Sequence, residues 1–256
     1  MPITCLPALA AVQISFPQDA TINAQIALRW VHFIAGITWV GLLYFFNLVN
    51  VPFLLQLDAP TRGKVVPLLM PRALWWFRWA SVVTVLAGIS YWMMIVSSDA
   101  HNANTSGGTA IWSFFLIWTV AFAIEMGALM APAASLRKGP VLAVIVAVAV
   151  IAAAHLYLRL NSHGWESSRL LSIGIGGGIG WFMMFNVWGI IWRVQKKMIR
   201  WTLDHAQNGT PMPPQAAAMA RLAFLASRVN FWLSFPMLFF MAAASHYPMF
   251  GNLPKP

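Results

Sequence analysis

Residues 139–158 read GPVLAVIVAVAVIAAAHLYL, twenty positions without one Asp, Glu, Lys or Arg. About 20 apolar residues wound as an α-helix rise about 30 Å, the thickness of a bilayer's hydrocarbon core. A helix also satisfies its own backbone polar groups, which lipid cannot do. Residues 30–57, 79–98, 170–192 and 229–254 are equally free of charge, and 100–136 is interrupted only by Glu125. This spacing predicts an all-α integral membrane protein: six transmembrane helices at roughly 27–54, 75–97, 110–132, 140–160, 171–193 and 218–245.

Composition agrees. Of 256 residues, 60% are hydrophobic and 9% charged, against roughly 25% charged in soluble domains. Mean hydropathy is +0.70. A soluble globular domain is excluded. The single cysteine, Cys5, excludes a disulfide framework, a Cys-rich zinc site and a Cys-x-x-Cys-His haem attachment. With six acidic residues, chemistry in this chain falls to His, Arg, Trp, Asn and a bound cofactor.

The net charge of +10 is a topology signal rather than a nucleic-acid footprint. Arg62, Lys64, Arg72, Arg78, Arg137, Lys138, Arg193, Lys196, Lys197, Arg200, Arg221 and Arg228 all lie in or beside the first, third and fifth connections, twelve of the sixteen basic residues. Only Arg29, Arg159, Arg169 and Lys255 fall on the other side. The positive-inside rule therefore places both termini outside a bacterial inner membrane, with lipid and not nucleic acid as the surrounding partner. Trp30, Trp112 and Trp165 near one boundary, and Trp75, Trp76, Trp192 and Trp201 near the other, form the expected aromatic belts. The division is an outer N-terminal extension over 1–25, the six-helix domain over 26–248 and an outer tail over 249–256. The stretch 201–217, with Asn208-Gly209 and three prolines, reads as a flexible inner linker.

On this topology, His32, His155 and His246 converge on the outer leaflet. Arg29 and His32 are three apart and His155 and Arg159 four apart, so each pair shares a helix face. A b-type haem ligated by an imidazole, with propionates reaching arginines at the interface, suits this pattern. His32, with His246 or His155 as partner, is the candidate ligand set for haem iron or a metal, and Arg29, Arg159 and Arg169 are the propionate partners. Gly36, one turn from His32, leaves room for a flat macrocycle, and Trp39 stands on the same stripe. Other readings stay open: the histidines as interfacial hydrogen-bonders, the arginines as snorkelling side chains, a copper-like ion as occupant, or no cofactor at all.

Gly174, Gly176, Gly177, Gly178 and Gly180 resemble a nucleotide loop but open an apolar span with no preceding strand, so they read as small-xxx-small helix packing. Pro236 is expected to kink the last helix. Glu125, the lone intramembrane carboxyl, is either a proton relay or a hydrogen-bonded packing group, and Asn186 reads as interhelical glue.

The segment Arg29-Trp30-Val31-His32-Phe33-Ile34-Ala35-Gly36-Ile37-Thr38-Trp39-Val40-Gly41 resembles the membrane domain of bacterial cytochrome c urate oxidases, the urate oxidase N-terminal family. So do Trp75-Trp76-Phe77-Arg78-Trp79, the stretch from Asn186-Val187 to Gln195, and the ending from Leu238-Phe239-Phe240-Met241 to Ser245-His246-Tyr247-Pro248. The resemblance implies a domain that oxidises urate to 5-hydroxyisourate and passes electrons to cytochrome c, and it pairs His32 with His246. Without Cys-x-x-Cys-His in these residues, the expected acceptor is a separate cytochrome c. The alternative function is an accessory subunit packed into a larger membrane respiratory or oxygenase complex.

Overall fold

A computed structural model describes residues 15–250. It contains six helices long and apolar enough to cross a membrane: α1 Ala20–Gln56, α2 Ala59–Asn102, α3 Gly108–Met130, α4 Gly139–Leu160, α5 Ser168–Asn208 and α6 Ala216–His246. No strand occurs among the described residues. The chain is a multi-pass membrane protein. Six crossings leave Ala20 and His246 at one end of the bundle, the terminal end, and the basic connections at the other, the basic end. Cys5, Lys255 and most of the two expected terminal extensions lie outside the described residues.

All six expected spans are present, but three run further than their apolar cores. Helix α1 already begins at Ala20, where the Asp19 carboxylate accepts the Thr21 backbone N–H at 2.7 Å. Residues 20–25 thus belong to the first helix. The stretch 55–74 is helical except for a two-residue break at Leu57-Asp58. There Asp58 caps α2 by accepting the Thr61 N–H at 2.9 Å.

The expected linker at 201–217 is corrected likewise. Helix α5 continues to Asn208 and stops at Gly209, whose φ of 68° is the left-handed conformation glycine adopts freely. Only 209–215 intervene before α6. Packing explains both extensions. The first turns of α2 and the last of α5 lie against each other, and a Cβ at Gly63 would sit 2.8 Å from the Ala206 Cβ. Two amphipathic segments that shelter each other stay helical where one alone would fray.

Helix α5 is the axis. Its span is the most buried of the six, and it packs on α2, α3, α4 and α6. Its glycines explain this, each admitting a neighbour from a different side. A Cβ at Gly174 would overlap the Tyr157 ring of α4, one at Gly178 the Trp118 indole of α3, and one at Gly176 would meet Phe240 and the Met237 carbonyl of α6. The small-xxx-small reading holds. Helix α4 is peripheral, held mainly by α3, to which Asn161 binds by donating to the Ser113 hydroxyl at 3.0 Å.

Two wide π-helical turns interrupt α1 at Phe45–Asn50 and α5 at Val187–Ile191. Just ahead of each, a side-chain amide bonds the main chain. Asn47 donates to the Leu43 carbonyl at 2.9 Å, and Asn230 of α6 donates to the Met183 carbonyl at 2.9 Å. Below the second lies a buried intramembrane carboxyl. Glu125 is 0% exposed, and Asn186 approaches its two oxygens at 3.1 and 2.9 Å while donating to Asn230 Oδ1 at 3.0 Å. Asn186 therefore joins α3, α5 and α6, the interhelical role expected of it.

Candidate functional site

A cavity of about 370 Å³ opens among α1, α2, α5 and α6 toward the terminal end. Pockets of this size accept small molecules and cofactors, which occupy about 300–1,000 Å³. Its walls are largely apolar, and its polar groups are few.

His32 of α1 is the first of them. Its Nδ1 lies 2.7 Å from the Thr84 carbonyl oxygen of α2. A carbonyl can only accept, so Nδ1 carries the proton and Nε2 keeps its lone pair. Ligating histidines take this arrangement, one ring nitrogen anchored to a carbonyl and the other free to bind. Gly88, one turn beyond Thr84, makes it possible: a Cβ there would stand 2.8 Å from both His32 Nδ1 and Cε1. Helix α2 thus supplies an acceptor and a notch for one imidazole.

Arg29 and Arg169 are the second feature. Both line the cavity and both lie over the Tyr91 ring, with Cζ 5.8 and 5.2 Å from its centroid. Neither has a carboxylate partner; the one ion pair among the described residues is His163 with Glu166, at 2.7 Å. Three residues that line the cavity also carry a buried polar atom without a partner: Arg169 Nε, Trp39 Nε1 and Tyr91 Oη. The first two can only donate. An enclosure with orphaned donors and uncompensated cations suits an anionic ligand rich in acceptors.

Of the eight site residues expected from sequence, the structure brings together His32, Arg29, Arg169, Gly36 and Trp39. It does not bring His155, Arg159 or His246 to the cavity lining. All three are exposed, and α4 packs on the far side of α3, away from α1. His246 closes α6 just beyond Ala244 and Ser245, which do line the cavity. The expected cluster of three histidines is therefore not formed. No group of three or more His, Cys, Asp or Glu side chains suited to a metal ion occurs among the described residues. Gly36 lines the cavity, and the Cβ it lacks would meet Thr84 Cγ2 of α2 at 3.6 Å, an ordinary contact.

Several lining residues were not foreseen: Thr84, Gly88 and Tyr91 of α2, and Met237 and Met241 of α6. The α2 set recurs at helical spacing within an apolar span, a legible signal. The methionines have no such mark, since thioethers fill cores everywhere in this chain.

The donor set fits a haem b to a definite extent. His32 would offer the iron one imidazole nitrogen, and Arg29 and Arg169 would offer the charge that two propionates need. The lining also carries two thioethers, Met237 and Met241, and no second imidazole. At its floor Tyr44 donates to Ser234 at 3.0 Å, the serine itself donating to the Phe231 carbonyl at 2.7 Å. That closes the cavity below.

Comparison with known proteins gives one result. The family model described as Urate oxidase N-terminal matches residues 20–254, which takes in all six helices and the whole cavity. No curated protein and no solved structure matches the chain. The chain belongs to the urate oxidase N-terminal family.

Proposed function

We propose that the chain is a membrane oxidoreductase domain that binds haem b in the His32 cavity, oxidises a urate-like substrate and delivers electrons to a separate cytochrome c. The observation that carries this reading is the anchored imidazole. His32 presents an unprotonated Nε2 at a cavity whose mouth holds two arginines without carboxylate partners. Haem, when bound, supplies reversible one-electron transfer. His32 would ligate it, Arg29 and Arg169 would neutralise its propionates, and the apolar walls would exclude water.

The family description supports urate as the substrate class. Its oxidation to 5-hydroxyisourate consumes one water and releases two electrons and two protons, so two one-electron acceptors are reduced per turnover. The basic connections support a cytoplasmic position for the basic end in a bacterial inner membrane, which puts the cavity mouth on the periplasmic side where a cytochrome c can dock.

A visible spectrum of the purified protein tests the reading. Reduced-minus-oxidised α and Soret bands that disappear in His32→Ala are expected, together with reduction of the bands by urate. A colourless wild-type preparation overturns the haem assignment, and bands indifferent to urate overturn the substrate.

A further inference from the structure

A second cavity, of about 620 Å³, separates the first half of α4 from α6 near the basic end of the bundle. It is independent of the His32 cavity. Helices α4 and α6 touch only sparsely, and between them Leu142, Val146 and Trp232 enclose an apolar groove. Gly139 at its head has nothing within 4 Å of where a Cβ would stand, so no side chain crosses the entrance.

Arg221 and Arg228 line the same groove. Seven residues apart on α6, they share one face and flank Phe224, with Cζ 5.6 and 5.3 Å from its ring centroid. Neither arginine is in an ion pair. Helix α4 begins at the same entrance, and Lys138 at its N-cap makes no side-chain capping bond. Long apolar walls ending in two unpaired guanidiniums match one ligand class in charge and in polarity: an anionic glycerophospholipid. We infer that this groove holds one such lipid, an acyl chain between α4 and α6 and its phosphate on Arg221 and Arg228. The lipid would then complete the attachment of α4 to the bundle.

Basic residues at a membrane surface each contribute about a 5.4-fold gain in affinity for an anionic lipid, so two contribute about 30-fold. The test is native mass spectrometry and thermal unfolding of the full chain in phosphatidylglycerol against phosphatidylcholine. One phosphatidylglycerol is expected to be retained per chain, with unfolding shifted to higher temperature relative to phosphatidylcholine. Arg221→Gln with Arg228→Gln should lower the preference by about 30-fold. Ala143→Trp, which fills the groove but keeps both arginines, should also abolish retention. Lys196→Gln with Lys197→Gln, outside the groove, should leave it unchanged. Retention that survives both groove variants, equal retention of the two lipids, or a stable dimer whose interface is this groove overturns the inference.

Discussion

His32 Nδ1 and the Thr84 carbonyl oxygen are 2.7 Å apart, and this bond fixes α1 to α2 at the one imidazole that lines the cavity. Because the acceptor is main chain, the threonine side chain is dispensable. Its own hydroxyl donates elsewhere, to the Ala80 carbonyl at 2.7 Å. Thr84→Val should therefore leave the ligand spectrum unchanged, whereas Gly88→Ala should alter it. The added methyl would have to displace an imidazole from 2.8 Å, and overpacking of this kind costs about 1–3 kcal/mol. Gly36→Ala, where the added methyl would make only an ordinary 3.6 Å contact with Thr84 Cγ2, is the matched control. Equal spectra for Gly88→Ala and Gly36→Ala would show that the α2 notch does not position His32.

Arg29 and Arg169 share the Tyr91 ring, a geometry that depends on flat guanidinium groups. Replacing either with Gln should reduce haem retained through purification, and the double variant should lose most of it, measured as haem per chain. Lysine at either site should rescue only in part, because an ammonium keeps the charge without the planar fork. Full retention in the double Gln variant would remove the arginines from the site. Arg159→Gln is expected to be silent, since that side chain lies outside the cavity.

How much of this was legible in the sequence depends on the kind of residue. Charge-free runs give the six spans, because burying an unpaired charge in lipid is costly enough to keep such runs clean. The Arg29–His32 spacing gives half of the site, because both residues lie on one helix face. What was not legible is which helices meet. His155 and Arg159 likewise share one helix face, yet α4 is attached through Asn161 and Tyr157 to α3 and α5 and does not pack on α1. Periodicity identifies a face but not its neighbour. The helical extensions at 59–74 and 194–208 were hidden for a related reason. Their charged residues resemble those of a loop, and the packing of the two segments on each other, closest at Gly63 and Ala206, is a contact the sequence does not reveal.

The glycine run of α5 gives a graded prediction. Gly178→Ala drives a methyl into the Trp118 indole, which is wholly buried between α3 and α5. Thermal unfolding in detergent should show a loss of about 1–3 kcal/mol, partly recovered in the double variant with Trp118→Leu. Gly180→Ala, with its nearest atom Met237 Sδ at 3.6 Å, should be close to neutral for stability. Comparable losses at both positions would mean that general crowding along α5, not the Trp118 contact, governs the run, because intrinsic helix propensity favours alanine over glycine.

The Glu125, Asn186 and Asn230 cluster predicts a non-additive response. Asn186 bonds both other members, so Asn186→Leu strips partners from two buried side chains at once. A buried polar group left unsatisfied costs about 1–3 kcal/mol, and Asn186→Leu should be more damaging than Glu125→Gln, whose amide oxygen still accepts from Asn186. The double variant Glu125→Leu with Asn186→Leu should be less destabilised than the sum of its single variants, because each change removes the group the other would leave unpaired. Unfolding of the three variants and wild type forms the cycle that measures this. Strict additivity would mean the carboxyl draws its stabilisation from elsewhere, and a Glu125→Gln variant that folds normally but loses urate-dependent reduction would assign the carboxyl to proton transfer instead.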